Sequence, residues 1–450
     1  MSHPMEPTPV DIDQLRDAIE RGDAEQVGLL VGELYPAEIA RLIESLPAEE
    51  RQAIWAAVPD DSEGEVLVEL NEEVRSSLVE AMASHEVVAA TEGLDIDDLA
   101  DFVADLPENL TQRVLESLSV QDRERLQAAL AFPADSAGGL MNPETVSVRP
   151  DVNVDVVLRY LRMRGELPVN TDSVFVVDRD DRYLGVLTFA RLLTSDPEAA
   201  VTDLMDPSVE AIQATSSATE VAREFQDRDL VSAAVIDGAG RLIGQITVDD
   251  VVDVIQEQAD HDILSRDGLD EDDDMFAPIL TSSGRRAVWL AVHLTLAFST
   301  AAVINLFQAT MNKVILLAVL MPMVAALGGI AGSQTLTLMI RSIALGRIQG
   351  ANTSPLLRRE LSIGLVNALL SATVVAGVTA IFFRDWRVAG VIAAATAVNL
   401  LIAAAVGFGV PLALRRMRID PALAGSVILI TVTDLVGFVA VLGLGTLLLT

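Results

Sequence analysis

Asp434 sits in ITVTDLVGFVA, near the middle of the apolar run 421–450 that closes the sequence. A charge at that depth of a bilayer costs roughly 3 kcal/mol, and intramembrane carboxylates usually face cavities, so the residue reads as part of an ion pathway. The competing reading is structural: protonation, or a hydrogen bond from Thr431 or Thr433 within a helix bundle. A second stretch, MPMVAALGGIAGSQTLT, places Pro322 where it is expected to interrupt a helix, with Gly328, Gly329 and Gly332 permitting close backbone approach. Carbonyls freed there would face a water-filled path and help bind a hydrated cation, although Gly328 and Gly332 also form the GxxxG pair used in helix packing. Asn399 offers an amide oxygen at similar depth, a position where an isolated Asn also serves as interhelical glue. His293 is assigned no role.

These residues need apolar helices to hold them. Five stretches reach the roughly 20 residues that the hydrocarbon core requires: 287–307, 314–340, 361–383, 388–414 and 421–450, with His293 and Asp434 as their ionisable residues. Nine arginines flank one side (285, 286, 341, 347, 358, 359, 415, 416 and 418), against Lys313, Arg384 and Arg387 on the other. That bias predicts a plasma-membrane protein whose N-terminal half is cytoplasmic and whose C-terminus lies outside.

The charge distribution separates the chain into two solvents. Met1 to Gly284 carries a net charge of −43, and Arg285 to Thr450 carries +8. An acidic soluble region excludes nucleic acid, whose phosphates call for clustered Lys and Arg, and makes metal cations the natural partners. With Lys313 as the single lysine, the same surface also suits a protein of salt-rich cells, where self-repulsion is screened. There are no cysteines, which removes disulfides, thiolate catalysis and zinc–sulfur sites. Lys313 lacks the Gly-rich approach of a P-loop, and the N-terminus lacks the basic and apolar regions of a signal peptide.

The soluble half shows two kinds of repeat. Over 11–132 apolar residues recur at helical spacing, and LIESLP (42–47) returns as FVADLP (102–107), each proline followed by another apolar helix. Over 138–200 and 201–258, LMNPETVSVRP is echoed by LMDPSVEAIQA and VFVVDRDDRYLGVLT by AAVIDGAGRLIGQIT, with Gly185 and Gly244 at corresponding places. Strands alternating with helices predict a pair of α/β modules, and the two units resemble cystathionine-β-synthase (CBS) repeats. The region 249–284 then reads as a connecting helix followed by a solvated acidic linker at Asp270 to Asp274.

In this order the helical repeat, paired CBS units, acidic connecting helix and five spans carrying PMVAALGG, RIDPALAG and TVTDLVGF resemble the MgtE family of magnesium transporters. The fold implied is an α-helical superhelix, an α/β CBS pair and an all-α five-helix transmembrane domain at 285–450. The resemblance further implies a homodimer with the ion path between membrane domains, closed by cytosolic Mg²⁺ bound among the soluble domains. It carries Asp434 over as the pore carboxylate and Asp420 as a second acid at the cytoplasmic side. Asp97 and Asp101 in DDLAD, Asp229, Asp250, Asp253 and Asp262 match regulatory metal positions. Ile330 replaces the asparagine of the family's GGN, while Ser217, Thr219, Gln258 and His261 stand where acids are expected. Thr247 and Asp250 in GQITVDD resemble an adenosine-binding pattern and imply an ATP site, an arrangement that also serves the fold.

Mg²⁺ is a hard, strongly hydrated ion suited to carboxylate and water oxygens. Bridging Asp97, Asp101, Asp250 and Asp253 would hold the soluble domains together, and repulsion among the bare acids would part them and open the pore. A divalent ion crossing 100 mV gains about 4.6 kcal/mol, twice the value for one charge, so entry needs no ATP and the expectation is a channel-like protein rather than an enzyme. Two alternatives share these residues: transport of another divalent ion such as Co²⁺ or Zn²⁺, and a non-conducting, membrane-anchored CBS sensor of metal or nucleotide.

Overall fold

A computed structural model describes residues 12–165, 167–168, 170–265, 268–269, 274–348 and 352–450. The chain forms two compact units, Met1–Asp260 with Asp272–Ala277, and His261–Glu271 with Pro278–Thr450.

In the first unit ten short helices, α1 to α10, occupy Ile12–Arg21, Ala24–Val31, Pro36–Glu44, Ala48–Trp55, Glu63–Glu69, Glu72–Ala81, Ser84–Ala90, Ile96–Ala104, Glu108–Ser117 and Val120–Ala129. The two leucine–proline repeats explain their punctuation. Pro47 and Pro107 take the N-cap positions of α4 and α9, where proline's missing N–H costs nothing, and glutamates fill the first turns that follow. Leu15, Ile39, Ile43, Leu67, Leu99 and Phe102 pack into one apolar core along the array. These helices are too short to persist alone in water, so burial of that common face holds them.

Two three-stranded sheets follow. The short helix α11 (Ala137–Leu140) leads into β1 (Ser147–Val148), α12 (Val154–Arg164), β2 (Ser173–Val177), β3 (Tyr183–Thr188) and α13 (Phe189–Thr194). The second repeat runs α14 (Val201–Leu204), β4 (Ile212–Gln213), α15 (Ala218–Arg228), β5 (Ser232–Ile236) and β6 (Leu242–Thr247). In each, the first strand pairs parallel with the second and the second antiparallel with the third, with equivalent bulges at Val176/Val177 and Val235/Ile236. The echoed LMNP and LMDP segments exchange partners: Asn142 pairs with Gln245 of the second hairpin, and Asp206 with Val186 of the first. Glycine is needed at both crossings, because a Cβ on Gly185 would lie 2.5 Å from the Asp206 carbonyl and one on Gly244 2.6 Å from Met141 Sδ. Phe175, Val186 and Ala234 then join the two repeats in a shared core.

Helix α16 (Val248–Leu264) continues directly from β6. Of the acidic linker, Asp270 to Asp273 lie outside the described residues, but Asp274 corrects the expectation of a solvated run. Its carboxylate takes both Arg51 Nη atoms at 2.7 and 2.8 Å, the two side chains are 6% and 3% exposed, and the Arg51 guanidinium lies 5.9 Å from the Phe276 ring. The linker end is folded onto the helical array because Arg51, itself buried, needs an anion.

The second unit holds the apolar helices α17 (Ile279–Leu306), α19 (Ile315–Ala344), α20 (Thr353–Phe383), α21 (Trp386–Arg416) and α22 (Pro421–Leu449). All five are long and apolar enough to cross a membrane. Lys313 ends a short helix α18 (Gln308–Lys313). Helix α21 packs against α19, α20 and α22 and is the most buried of the five. Pro322 does not interrupt α19, which runs through it; the exposed ring sits only eight residues into the helix and deletes one hydrogen bond without displacing the rest. Helix α20 begins earlier than apolarity alone indicated and takes Glu360 into its buried face, adding an ionisable residue that the span boundaries had excluded.

Candidate functional site

In the membrane unit, helix α22 presents Asp434, half-buried, with no hydrogen bond or ion pair to any described residue. The nearby hydroxyls do not serve it. Thr431 donates to the Val427 carbonyl at 2.8 Å and Thr433 to the Leu429 carbonyl at 2.9 Å, the usual recourse of a threonine inside a helix. One turn beyond Asp434, Gly437 abuts Asn399 of α21.

Asn399 is fully buried and lodged between two glycines. A Cβ on Gly328 of α19 would meet its Nδ2 at 2.2 Å, and one on Gly437 at 3.0 Å. Its Nδ2 donates to the Val324 carbonyl at 2.9 Å, while its Oδ1 is buried with no hydrogen-bond partner among the described residues. A buried orphan acceptor is costly and marks a strained or functional point. Gly332 lies against Leu429, so Gly328 and Gly332 both act at helix contacts; Gly329 is half-buried, and Ile330 is 61% exposed on the opposite face. The structure therefore brings Asn399, Gly328 and the Asp434 helix together. Pro322 and Ile330 lie on exposed surface of α19.

Asp420 caps α22: its Oδ1 accepts from Ala422 N at 2.9 Å, and its Oδ2 meets His261 Nε2 at 2.9 Å. A histidine at 261 thus makes a direct bond where two acids would have needed a cation between them. Asp262 follows it, half-buried, on the last turn of α16. His293 is exposed, with Nδ1 3.1 Å from the Trp289 carbonyl.

In the first unit, α8 and the start of α16 bring carboxylates together. Burial first, and then repulsion from Asp250 and Asp98, push Asp97 up to about 8. Asp250 is raised to about 7, chiefly by burial and despite the hydrogen bonds it accepts from Thr247. Asp98 rises to about 6 through burial and the charges of Asp95 and Asp101. Asn142 Nδ2 donates to Asp97 Oδ1 at 3.2 Å. Asp101 keeps more surface, yet loss of solvent around its carboxyl raises it to about 6, with the Arg75 guanidinium opposing the rise and Asp105 adding to it. Asp253 is also raised, by burial and then by Asp249, and it in turn repels Glu69. Asp98, Asp95 and Asp249 were not singled out from the sequence, although DIDD and VDD print them beside Asp97 and Asp250. Asp229 lies elsewhere, at the exposed left-handed C-cap of α15, on neither helix of the cluster.

Among the described residues no three of these acids converge closely enough to hold one bare metal ion. The chemistry of the donor set nonetheless fits a cation that keeps its waters, because Mg²⁺ dehydrates reluctantly and bridges through them. Thr247 N donates to Asp250 Oδ2 at 3.0 Å, and its hydroxyl donates to Asp249 and Asp250.

Family comparisons cover both units. Residues 34–135 match the MgtE intracellular N domain, 137–198 and 201–257 the CBS domain, and 321–444 the divalent cation transporter model of the MgtE family. The magnesium transporter MgtE of Thermus thermophilus is 29% identical over 446 residues, covering 97% of this chain and 98% of its own. The magnesium transporter MgtE of Bacillus subtilis is 25% identical over 417 residues, covering 93% and 92%. The solved cytosolic domain of the Mg²⁺ channel MgtE in complex with ATP aligns at 32% identity with a TM-score of 0.50, over 54% of this chain and all of that one. A helical array, a CBS pair and an apolar five-helix unit, matched in the same order by relatives along nearly the whole length, make this chain a member of the MgtE family of magnesium transporters.

Proposed function

We propose that the protein is a channel-like transporter of Mg²⁺, driven by the membrane potential and closed by cytosolic Mg²⁺ held among the soluble domains. The observation that carries the reading is Asp434: a carboxylate within a membrane-length helix, left without any partner among the described residues. An anchor gains nothing from such a group, whereas a passing cation supplies the missing charge. The buried Oδ1 of Asn399, one turn away, gives a second oxygen for the ion or its waters. The N-terminal half is cytoplasmic on this reading, the C-terminus is outside, and the active form is a homodimer.

The acidic cluster supports the closing step. Beyond burial, Asp250 raises the proton affinity of Asp97, and Asp249 and Asp98 raise that of Asp250, so a divalent ion with its waters relieves several charges at once. With Mg²⁺ scarce, the same repulsion loosens the packing of α8 against α16. ATP, which the solved relative binds, fits the CBS pair here through Thr247 and Asp250, a hydroxyl and a carboxylate suited to a ribose. Asp250 belongs to both sites, so nucleotide and Mg²⁺ act on one residue.

The test is Mg²⁺, Co²⁺ and Ca²⁺ flux into liposomes containing the purified chain, with Asp434→Ala and Ile330→Asn beside it. Mg²⁺ flux in the wild type that is lost in Asp434→Ala is the expected result, showing a path that works with an alkyl chain at 330. Absence of flux in the wild type, with recovery in Ile330→Asn, would replace it with a sensor that has lost conduction. Preference for Co²⁺ would move the selectivity away from Mg²⁺.

A further inference from the structure

Helices α19 and α20 scarcely touch one another; both lie on α21, leaving between them a cavity of about 130 Å³ floored by Leu400 and Ala404. Both walls end in an arginine. On α19 Leu338 lines the cavity, and Arg341 follows one turn later on the same face, toward the arginine-rich flank. On α20 Ile363 lines it, and Arg359, also at the lining, stands one turn back toward that flank. Leu338, Ile363 and both arginines are exposed, so the cavity opens sideways on the surface of two membrane-length helices. Arg359 meets the buried Glu360 at 3.3 Å, so one carboxylate offsets one guanidinium. Arg341 and the adjoining Arg358 have no ion pair among the described residues, which leaves a local surplus of positive charge. From Arg285 onward the chain holds 4 acidic against 12 basic residues, too few acids to neutralise that flank. Deeper on α19, Thr335 is 7% exposed at the cavity wall, yet its hydroxyl makes no hydrogen bond among the described residues, unlike those of Thr396, Thr431 and Thr433, which bond the carbonyl one turn back. Gln334 beside it also has no side-chain hydrogen bond among the described residues.

We infer that this groove seats an anionic phospholipid, with its phosphate held between Arg341 and Arg359, its ester oxygens at Thr335 and Gln334, and an acyl chain against Ile363 and Leu400. The order of chemistry along the groove is that of a lipid: guanidinium groups at the flank, hydroxyl and amide donors behind them, an apolar floor beyond. Thr335 lies about 9 Å deeper than Arg341 along the helix, comparable with the thickness of one interfacial layer of a bilayer, so it meets the esters when the arginine holds the phosphate. Arginine suits the phosphate because its planar fork donates two hydrogen bonds at once, and basic pockets between membrane helices hold headgroups in this way. The surplus charge selects a lipid of net negative charge over a zwitterionic one, whose phosphate already has its ammonium. Asn367, at the far end of the cavity on α20, lies beyond the polar layer and takes no part. Lipid binding here is separate from the Asp434–Asn399 region and does not rest on which ion the protein passes.

Because the chain has no cysteine, Leu338→Cys at the cavity lining takes a single fluorescent label in the full-length protein. The labelled protein is placed in phosphatidylcholine vesicles to which phosphatidylglycerol or phosphatidylcholine with brominated, quenching chains is added. Brominated phosphatidylglycerol is expected to quench at a mole fraction about twentyfold lower than brominated phosphatidylcholine. Arg341→Gln, which removes an exposed side chain that has no ion pair, should shrink this preference roughly fivefold, and Arg359→Gln should shrink it by a similar factor. A label at the exposed Leu447, near the end of α22, should be quenched equally by both lipids. Equal quenching by both lipids at position 338, or an unchanged preference in Arg341→Gln, overturns the site. Quenching by neither lipid would mean that a protein surface covers the groove, and also overturns it. Inorganic phosphate in the buffer should leave the quenching unchanged; displacement of the lipid would make the site one for free phosphate instead. Should Arg359→Gln not fold, Arg341→Gln carries the test alone.

Discussion

The two units bury carboxylates in opposite ways. In the first unit Asp97, Asp98 and Asp250 are crowded together, each raised by burial and by its neighbours, while Asp274 a few helices away is held by Arg51. In the second unit Glu360 meets Arg359 and Asp420 meets His261, whereas Asp434 has no hydrogen bond or ion pair among the described residues. A crowd of acids stores repulsion that a mobile cation or a proton releases, so its packing reports ionic conditions. A paired acid is indifferent to them. A solitary acid in an apolar helix stores no repulsion; it offers one binding point to whatever ion comes past. On the proposed reading, sensing, bracing and conducting would follow the number of like and unlike charges each carboxylate meets.

Removing Arg51 tests the braced end of the comparison and carries the largest expected effect. Arg51→Ala leaves Asp274 buried without its partner, a loss of about 3–5 kcal/mol when a buried pair is broken from one side. Hydrogen exchange along α3 and α4 should accelerate sharply, with no dependence on Mg²⁺. Protection equal to wild type would show that the pair does not brace the array.

Next in size is Asp434→Ala, which should lower Mg²⁺ flux by roughly a hundredfold, the equivalent of one lost charged contact of nearly 3 kcal/mol, with little change in thermal stability. Flux within twofold of wild type would remove Asp434 from the pathway.

Gly328→Ala drives a methyl group into Asn399 and should cost about 1–3 kcal/mol by overpacking. A lower melting temperature together with reduced flux is expected. An unchanged melting temperature would mean that α19 and α21 separate easily.

The smallest effect, and the most diagnostic of the crowded region, is pH dependence. Folding raises Asp97 to about 8 and Asp250 to about 7, so the folded form binds protons more tightly than the unfolded chain does. Stability of the metal-free soluble unit therefore falls as pH rises, with the last of the loss between about pH 6 and 8. Mg²⁺ should flatten this slope and bind more tightly at the higher pH, where it displaces fewer protons. Asp97→Asn should remove much of the slope in exchange measurements across α8; an identical slope in the variant would assign the repulsion elsewhere.

The sequence by itself determined the order of the domains and the character of each. Helical and alternating periodicity, the duplicated LMNP and LMDP segments, the charge boundary near Arg285 and five apolar runs are local patterns fixed by hydrophobic burial and by bilayer thickness. Tertiary structure alone decided which residues meet. Periodicity says that Asp97 and Asp250 lie on helices, but only packing sets α8 against the start of α16 and enlists Asp98 and Asp249. It also exchanges the LM segments between hairpins, closes Asp274 onto Arg51, seats Asn399 between two glycines and turns Glu360 inward at the start of α20. Those contacts join residues far apart in the chain, and their energies depend on distance, burial and neighbouring charge, quantities that a linear sequence does not carry.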